Sequence, residues 1–179
     1  MKLLRNALLL GAAISALGTL VIYLGIFDVA ADVPHSAIAS SVIELIRDRS
    51  IAARSKYIQV PPLDDPKLIE EGAKHYAEMC AGCHLAPGRK QSELRNGLYP
   101  KPPDLTARFQ ATPAAEFWVI KHGIKMSAMP AWGATHNDST IWAIVAFVRQ
   151  LPELTPDRYQ ALAGPGKEPH HDHHNHPFN

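Results

Sequence analysis

The sequence is poor in most of what would commit a small protein to an unusual scaffold. It holds two cysteines in 179 residues, so no disulfide framework can stand in for a hydrophobic core. It has no excess of charge of one sign. Its 18 Lys and Arg face 17 Asp and Glu, for a formal net charge of +1, which removes the electrostatic case for nucleic-acid binding. No alternation of apolar and polar residues is long enough for a useful strand, and no segment repeats. What remains is a helical chain, and the placing of its two cysteines is the first positive signal.

Both cysteines fall in Cys80-Ala81-Gly82-Cys83-His84. C-x-x-C-H is the attachment signature of c-type haem. Two thiols three positions apart on one helical turn can each add across a vinyl group of the same porphyrin, forming two thioethers. The next residue, His84, then lies close enough to give an imidazole nitrogen to the iron. One covalent haem c is the cofactor expected. Two other readings stand beside it: a thioredoxin-like redox couple and half of a zinc site. The context before the motif is helical rather than strand-like, and no second C-x-x-C is present; both facts favour haem.

An electron-transfer haem usually has both axial positions filled, and Met/His ligation raises its potential. The loop Lys125-Met126-Ser127-Ala128-Met129-Pro130-Ala131-Trp132 offers two thioethers. Met129 is the better placed, because Pro130 holds it extended and removes an N–H from the segment; Met126 is the runner-up. Either could instead fill a gap in the core. His122 and His136 are further nitrogen candidates that more often would sit beside helix ends at the surface, and His75 is expected to face solvent.

The compartment follows from the N-terminus. Lys2 and Arg5 precede a run without charge from Asn6 to Phe27, and Asp28 and Asp32 follow it. The run approaches the ~20 apolar residues that span a bilayer core and exceeds the ~7–15 of a secretory h-region. An uncleaved anchor is expected, with the basic end in the cytoplasm. Small residues at Val29-Ala30-Ala31 keep open a cleaved signal peptide. The location expected is a bacterial inner membrane with the haem domain facing the periplasm.

Segment by segment, residues 1–27 read as the anchor and 28–64 as a connector. Within the connector, Ser36 caps an amphipathic helix with Ile38, Val42, Leu45 and Ile46 on one face. That helix either lies on the membrane with Arg47, Arg49 and Arg54 toward lipid phosphates or packs on the haem domain. Residues 65–152 form the domain. Asp65 caps and Pro66 opens its first helix, which buries Ala73, Tyr76, Ala77 and Cys80. Thr112 and Pro113 begin a second helix with Phe117 and Ile120 inward and Trp118 a further candidate; Gly123 stops it. Asp138 or Ser139 caps a last helix that is apolar almost all round. Residues 153–163 hold a short helix capped by Thr155, and 164–179 are a histidine-rich tail.

These motifs in combination resemble the class I cytochromes c of bacteria. They are Gly72-x-x-x-Tyr76-x-x-x-Cys80-x-x-Cys83-His84, Pro102-Pro103-Asp104-Leu105, Ile120-x-x-Gly123, Met129-Pro130-Ala131-Trp132 and Ile141-Trp142-x-x-x-x-Phe147-Val148-x-x-Leu151-Pro152. The pattern is most similar to monohaem domains related to the haem subunit of cbb3-type oxidases, over roughly Asp65 to Pro152, about half the chain. The resemblance implies an all-α fold around one covalent haem, preceded here by a transmembrane helix, with the first and last domain helices crossing. It implies Cys80 and Cys83 as thioether donors, His84 as proximal and Met129 as distal ligand, with Pro102, Pro103 and Leu105 lining the pocket. It departs at Leu85, where the family often has Gly, a change expected to leave ligation intact.

In the tail, His170, His171, His173, His174 and His176 place five imidazoles in seven positions, a composition suited to Cu(II), Ni(II) or Zn(II). Asp172 and Asn175 interrupt the run, so a native tail is favoured over an expression tag. The function expected is single-electron transfer with membrane-bound redox proteins rather than catalysis. The competing readings are metal handling or redox sensing through the tail, and an enzyme with an open haem site, against which the Met129 loop argues.

Overall fold

The computed structural model describes residues 1–107 and 111–164. Among them there is no strand, only an isolated bridge between Ala86 and Arg89. The chain divides into two units, Met1–His35 and the remainder from Ser36.

The first unit is built on α1, Lys2–Tyr23, 22 residues of which none is buried. At 1.5 Å per residue it is about 33 Å long, the thickness of a bilayer's hydrocarbon core.

The second unit begins with α2, Ala37–Ser55, whose first turn is capped by Ser36 Oγ accepting from the Ala39 N–H at 3.3 Å. Next comes α3, Pro66–Met79, where Asp65 accepts from the Lys67 N–H at 2.9 Å and Pro66 occupies the first turn. Two single turns follow, α4 at Ala81–His84 and α5 at Glu93–Asn96. Then come α6, Pro113–His122, α7, Asp138–Val148, and α8, Pro156–Ala163, with 3₁₀ turns at Trp132–Ala134 and Leu151–Glu153. Prolines open α3, α6 and α8, each after a side-chain cap, because a missing N–H is harmless there and φ is already helical.

The cap of α7 differs from the Asp138 or Ser139 expected. Asn137 fills it, its Oδ1 accepting from the Thr140 N–H at 2.9 Å. Asp138 is drawn away by Lys121, whose Nζ lies 2.6 Å from its Oδ1.

The core lies where α3 crosses α7, the crossing the family pattern implies. Seven of the eleven residues of α7 are buried: Ile141, Ala143, Ile144, Val145, Ala146, Phe147 and Val148. The crossing is close because Gly72 has no side chain. A Cβ there would stand 1.9 Å from the Ala143 carbonyl oxygen. Tyr76, fully buried, meets Phe147 at 5.3 Å between ring centroids, and Tyr159 of α8 closes the cluster at 6.5 Å from Tyr76. Phe117 of α6 stacks on Trp142 of α7 at 4.2 Å. Burying such side chains is worth about 1.5–3 kcal/mol each. Phe117 and Ile120 are inward as expected, and Trp118 is half-buried. Helix α2 also packs against α6.

Candidate cofactor site

Helix α3 delivers the cysteines and then breaks. Cys80 still donates its N–H to the Tyr76 carbonyl at 2.9 Å. The Cys80 carbonyl in turn accepts from the N–H groups of both Cys83 (3.0 Å) and His84 (2.8 Å). That single turn gathers Cys80, Cys83 and His84. Both thiols are free.

Leu85 turns the chain out of the site with φ 68° and ψ −179°, a region almost reserved for glycine and costing about 1–3 kcal/mol for other residues. This is the position where the family pattern often has Gly. Leucine holds this backbone with its side chain buried, 2 % exposed, and its carbonyl accepting the Tyr76 hydroxyl at 2.7 Å. Burial and a buried hydrogen bond offset the strain.

The imidazole of His84 is fixed from the Pro102-Pro103 segment. Nδ1 donates to the Pro103 carbonyl at 2.9 Å, which leaves Nε2 with the lone pair that a metal takes. Arg95 Nε donates to the neighbouring Pro102 carbonyl at 3.1 Å, and the Leu105 N–H reaches the His84 carbonyl at 3.2 Å. Leu105 packs on the core. Burial lowers the His84 pKa; the bond to Pro103 opposes that, and the nearby charge of Arg95 adds to it. The net shift favours the neutral ring, the form in which imidazole serves as a ligand.

The thiols do not suit either alternative chemistry. Burial pushes Cys80 up to about 12, with Cys83 adding to the shift, and burial raises Cys83 as well. A thioredoxin-like couple needs the opposite, a stabilised thiolate. Among the described residues no group of three or more His, Cys, Asp or Glu is placed to hold a metal ion, so a zinc site finds no ligand set there.

The two methionines differ sharply. Met126 has φ 58° and is 96 % exposed. Met129 packs against the core; its N–H meets Ser127 Oγ at 3.2 Å and its carbonyl accepts from the Ile124 N–H at 3.1 Å. Gly123, at φ 65°, lets the loop fold this closely, since a Cβ there would lie 2.6 Å from the Met129 carbonyl oxygen. His122 lies against Trp118 at 5.1 Å. His136 contacts Trp132, and its Nδ1 lies 2.9 Å from Thr135 Oγ1. His75 does not face solvent as expected; it is half-buried, edge-on to His136 at 5.7 Å, because the segment before α7 covers that part of α3. The tail histidines His170, His171, His173, His174 and His176 lie outside the described residues.

Two polar features escaped the sequence. Arg95 had no local mark, since its partner is seven residues away across a proline-rich loop. Glu116 sits beside Phe117 on the buried side of α6 and is 7 % exposed. One oxygen pairs with Arg149 at 3.0 Å, while the other has no hydrogen-bond partner. Burial raises its pKa to about 7, with Arg149 pulling the other way.

Residues 67–148 match the model of a protein family described as cytochrome C oxidase, cbb3-type, subunit III. The chain is also similar to a cbb3-type cytochrome c oxidase subunit FixPc of Rhizobium leguminosarum bv. viciae. The two are 27 % identical over 112 residues, which are 63 % of this chain and 37 % of that protein. The match therefore spans well under half of the relative's length.

Proposed function

We propose that residues 67–148, which match the cbb3-type subunit III family model, form a monohaem cytochrome c domain, and that the protein is a membrane-anchored carrier passing single electrons between membrane-bound redox proteins on the periplasmic side. The observation that carries this reading is the single turn holding two free thiols beside an imidazole whose Nδ1–H is committed to the Pro103 carbonyl. Cys80 and Cys83 would hold the haem through thioethers, His84 Nε2 would take the proximal iron position and Met129 the distal one. The haem, when bound, supplies one-electron redox chemistry. The chain's own part is to fix the imidazole through Pro103, to favour its neutral form by burial, and to bring Met129 in from a loop that Gly123 allows to fold tightly.

Anchoring is supported by α1, long and apolar enough to cross a bilayer with none of it buried. Lys2 and Arg5 before it and Asp28 and Asp32 after it favour a cytoplasmic start.

The visible spectrum of the purified protein tests the reading. Low-spin haem with the weak red band of iron–methionine ligation is expected, lost in Met129→Ala and kept in Met126→Ala. High-spin ferric haem as isolated would sink electron transfer in favour of an open-site enzyme. The tail's five imidazoles favour a second reading, metal handling. Truncation after Ala163 that leaves reduction kinetics and copper tolerance unchanged would end it.

A further inference from the structure

Helix α2 has two faces with different fates. The helix packs against α6, and its covered side carries half-buried Ile51 and buried Ser55. Successive residues rotate by about 100°, which puts Ile38, Val42, Leu45 and Ile46 together in a stripe on roughly the opposite side. These four are 80, 51, 57 and 64 % exposed. Elsewhere among the described residues after Ser36, exposed large apolar side chains are mostly scattered, whereas this stripe runs over more than two helical turns. A contiguous apolar stripe facing away from the domain that carries it marks a surface with a second solvent or partner.

We propose that this stripe of α2 lies in the interface of an anionic phospholipid bilayer, as a second contact beside the α1 anchor. The proposal rests on reading α1 as membrane-spanning. Only residues 24–36 separate α1 from α2, and 13 residues reach at most about 45 Å fully extended, so the stripe is tethered within reach of the surface.

The charges fit the same occupant. Between residues 36 and 56 there are four basic residues, Arg47, Arg49, Arg54 and Lys56, against Glu44 and Asp48. Asp48 takes up Arg47 at 2.8 Å, which leaves Arg49, Arg54 and Lys56 against Glu44, with Arg49 and Lys56 on the stripe's own side of the helix. Apolar residues in the acyl boundary with basic side chains reaching up to phosphates is how an amphipathic helix lies on a membrane. A second copy of the chain would bury the stripe equally well but gives no reason for the excess of arginine.

The test uses the full-length, haem-loaded protein in vesicles of phosphatidylcholine and phosphatidylglycerol. With Cys80 and Cys83 consumed by thioethers, one introduced cysteine is the free thiol for an environment-sensitive fluorophore. Leu45→Cys and Ile46→Cys labels should be blue-shifted and quenched by shallow doxyl-labelled lipid at least about threefold more than a label at Glu44→Cys, on the other side of the helix. A Leu10→Cys label, read with lipid doxyl-labelled deep in the acyl chain, reports α1 separately. Quenching at position 10 with none beyond the position-44 level at 45 and 46 overturns the proposal and leaves the anchor standing. No quenching at 10 overturns the anchor, while quenching at 45 and 46 alone would keep the surface contact. A blue shift at 45 and 46 that grows with protein concentration and ignores doxyl lipid means a second copy covers the stripe, and also overturns it.

Discussion

Helices α1 and α7 are both apolar around most of their circumference, yet no residue of one is buried and seven of eleven in the other are. An all-round apolar helix demands cover without saying what supplies it. For α7 the chain supplies it: Gly72 lets α3 approach to backbone contact, Phe117 of α6 stacks on Trp142, and Leu151 closes the C-terminal end. For α1 nothing within its unit does, and its 22 residues are long and apolar enough to cross a bilayer. What separates them is whether the rest of the sequence prepares a complementary surface.

The largest effect expected is from breaking the cover of α7. In Gly72→Ala the new Cβ meets the Ala143 carbonyl oxygen at 1.9 Å, and backbone cannot swing aside as a side chain can. A loss of about 3 kcal/mol, the upper end for overpacking, should appear in denaturant melts of the haem-loaded protein. An unchanged midpoint would mean that α7 is not held by this approach. Next comes the converse change in α1. Leu10→Arg places a charge near the centre of the apolar helix, a penalty of about 2.5–3.5 kcal/mol for insertion. Fractionation should show protein leaving the membrane while the melting temperature of the haem domain stays put. A fall in that temperature would mean the two helices are not independent.

The smallest effect sharpens the picture at the end of α7, where Arg149 caps the helix and pairs with Glu116. Folding raises this carboxyl from an ordinary 4.5 to about 7, so the native state prefers the protonated acid. Its contribution to stability is complete below about 4.5 and is lost as pH rises through 7. Glu116→Gln should flatten that slope by about 1 kcal/mol in melts run between pH 4.5 and pH 8. An unaltered slope would place the titration elsewhere.

Much of this was legible because it is local. The caps Ser36, Asp65, Thr112 and Thr155 act on N–H groups two or three residues on, and a C-x-x-C-H turn is a one-turn object. The misreadings occurred where a distant partner intervened. Asp138 was drawn to Lys121, leaving Asn137 as the cap. His75 met His136 instead of water. Glu116 carried no signal of its own, since its partner Arg149 lies 33 positions later. Leu85 is the subtler case. The sequence shows a leucine where the family often has glycine, and nothing local reveals that its carbonyl is taken by Tyr76 or that its φ is 68°.

By itself the sequence determined the C-x-x-C-H turn, most of the helix starts and the uncharged N-terminal run, since each depends on neighbours within a few positions. Tertiary structure decided which nitrogen of His84 is left for a metal, which methionine packs inward and which is exposed, and which face of α2 is occupied. Those are questions of what stands opposite a side chain. The answers came from Pro103, the fold of the loop after Gly123, and α6, parts of the chain brought there only by the crossing of α3 and α7.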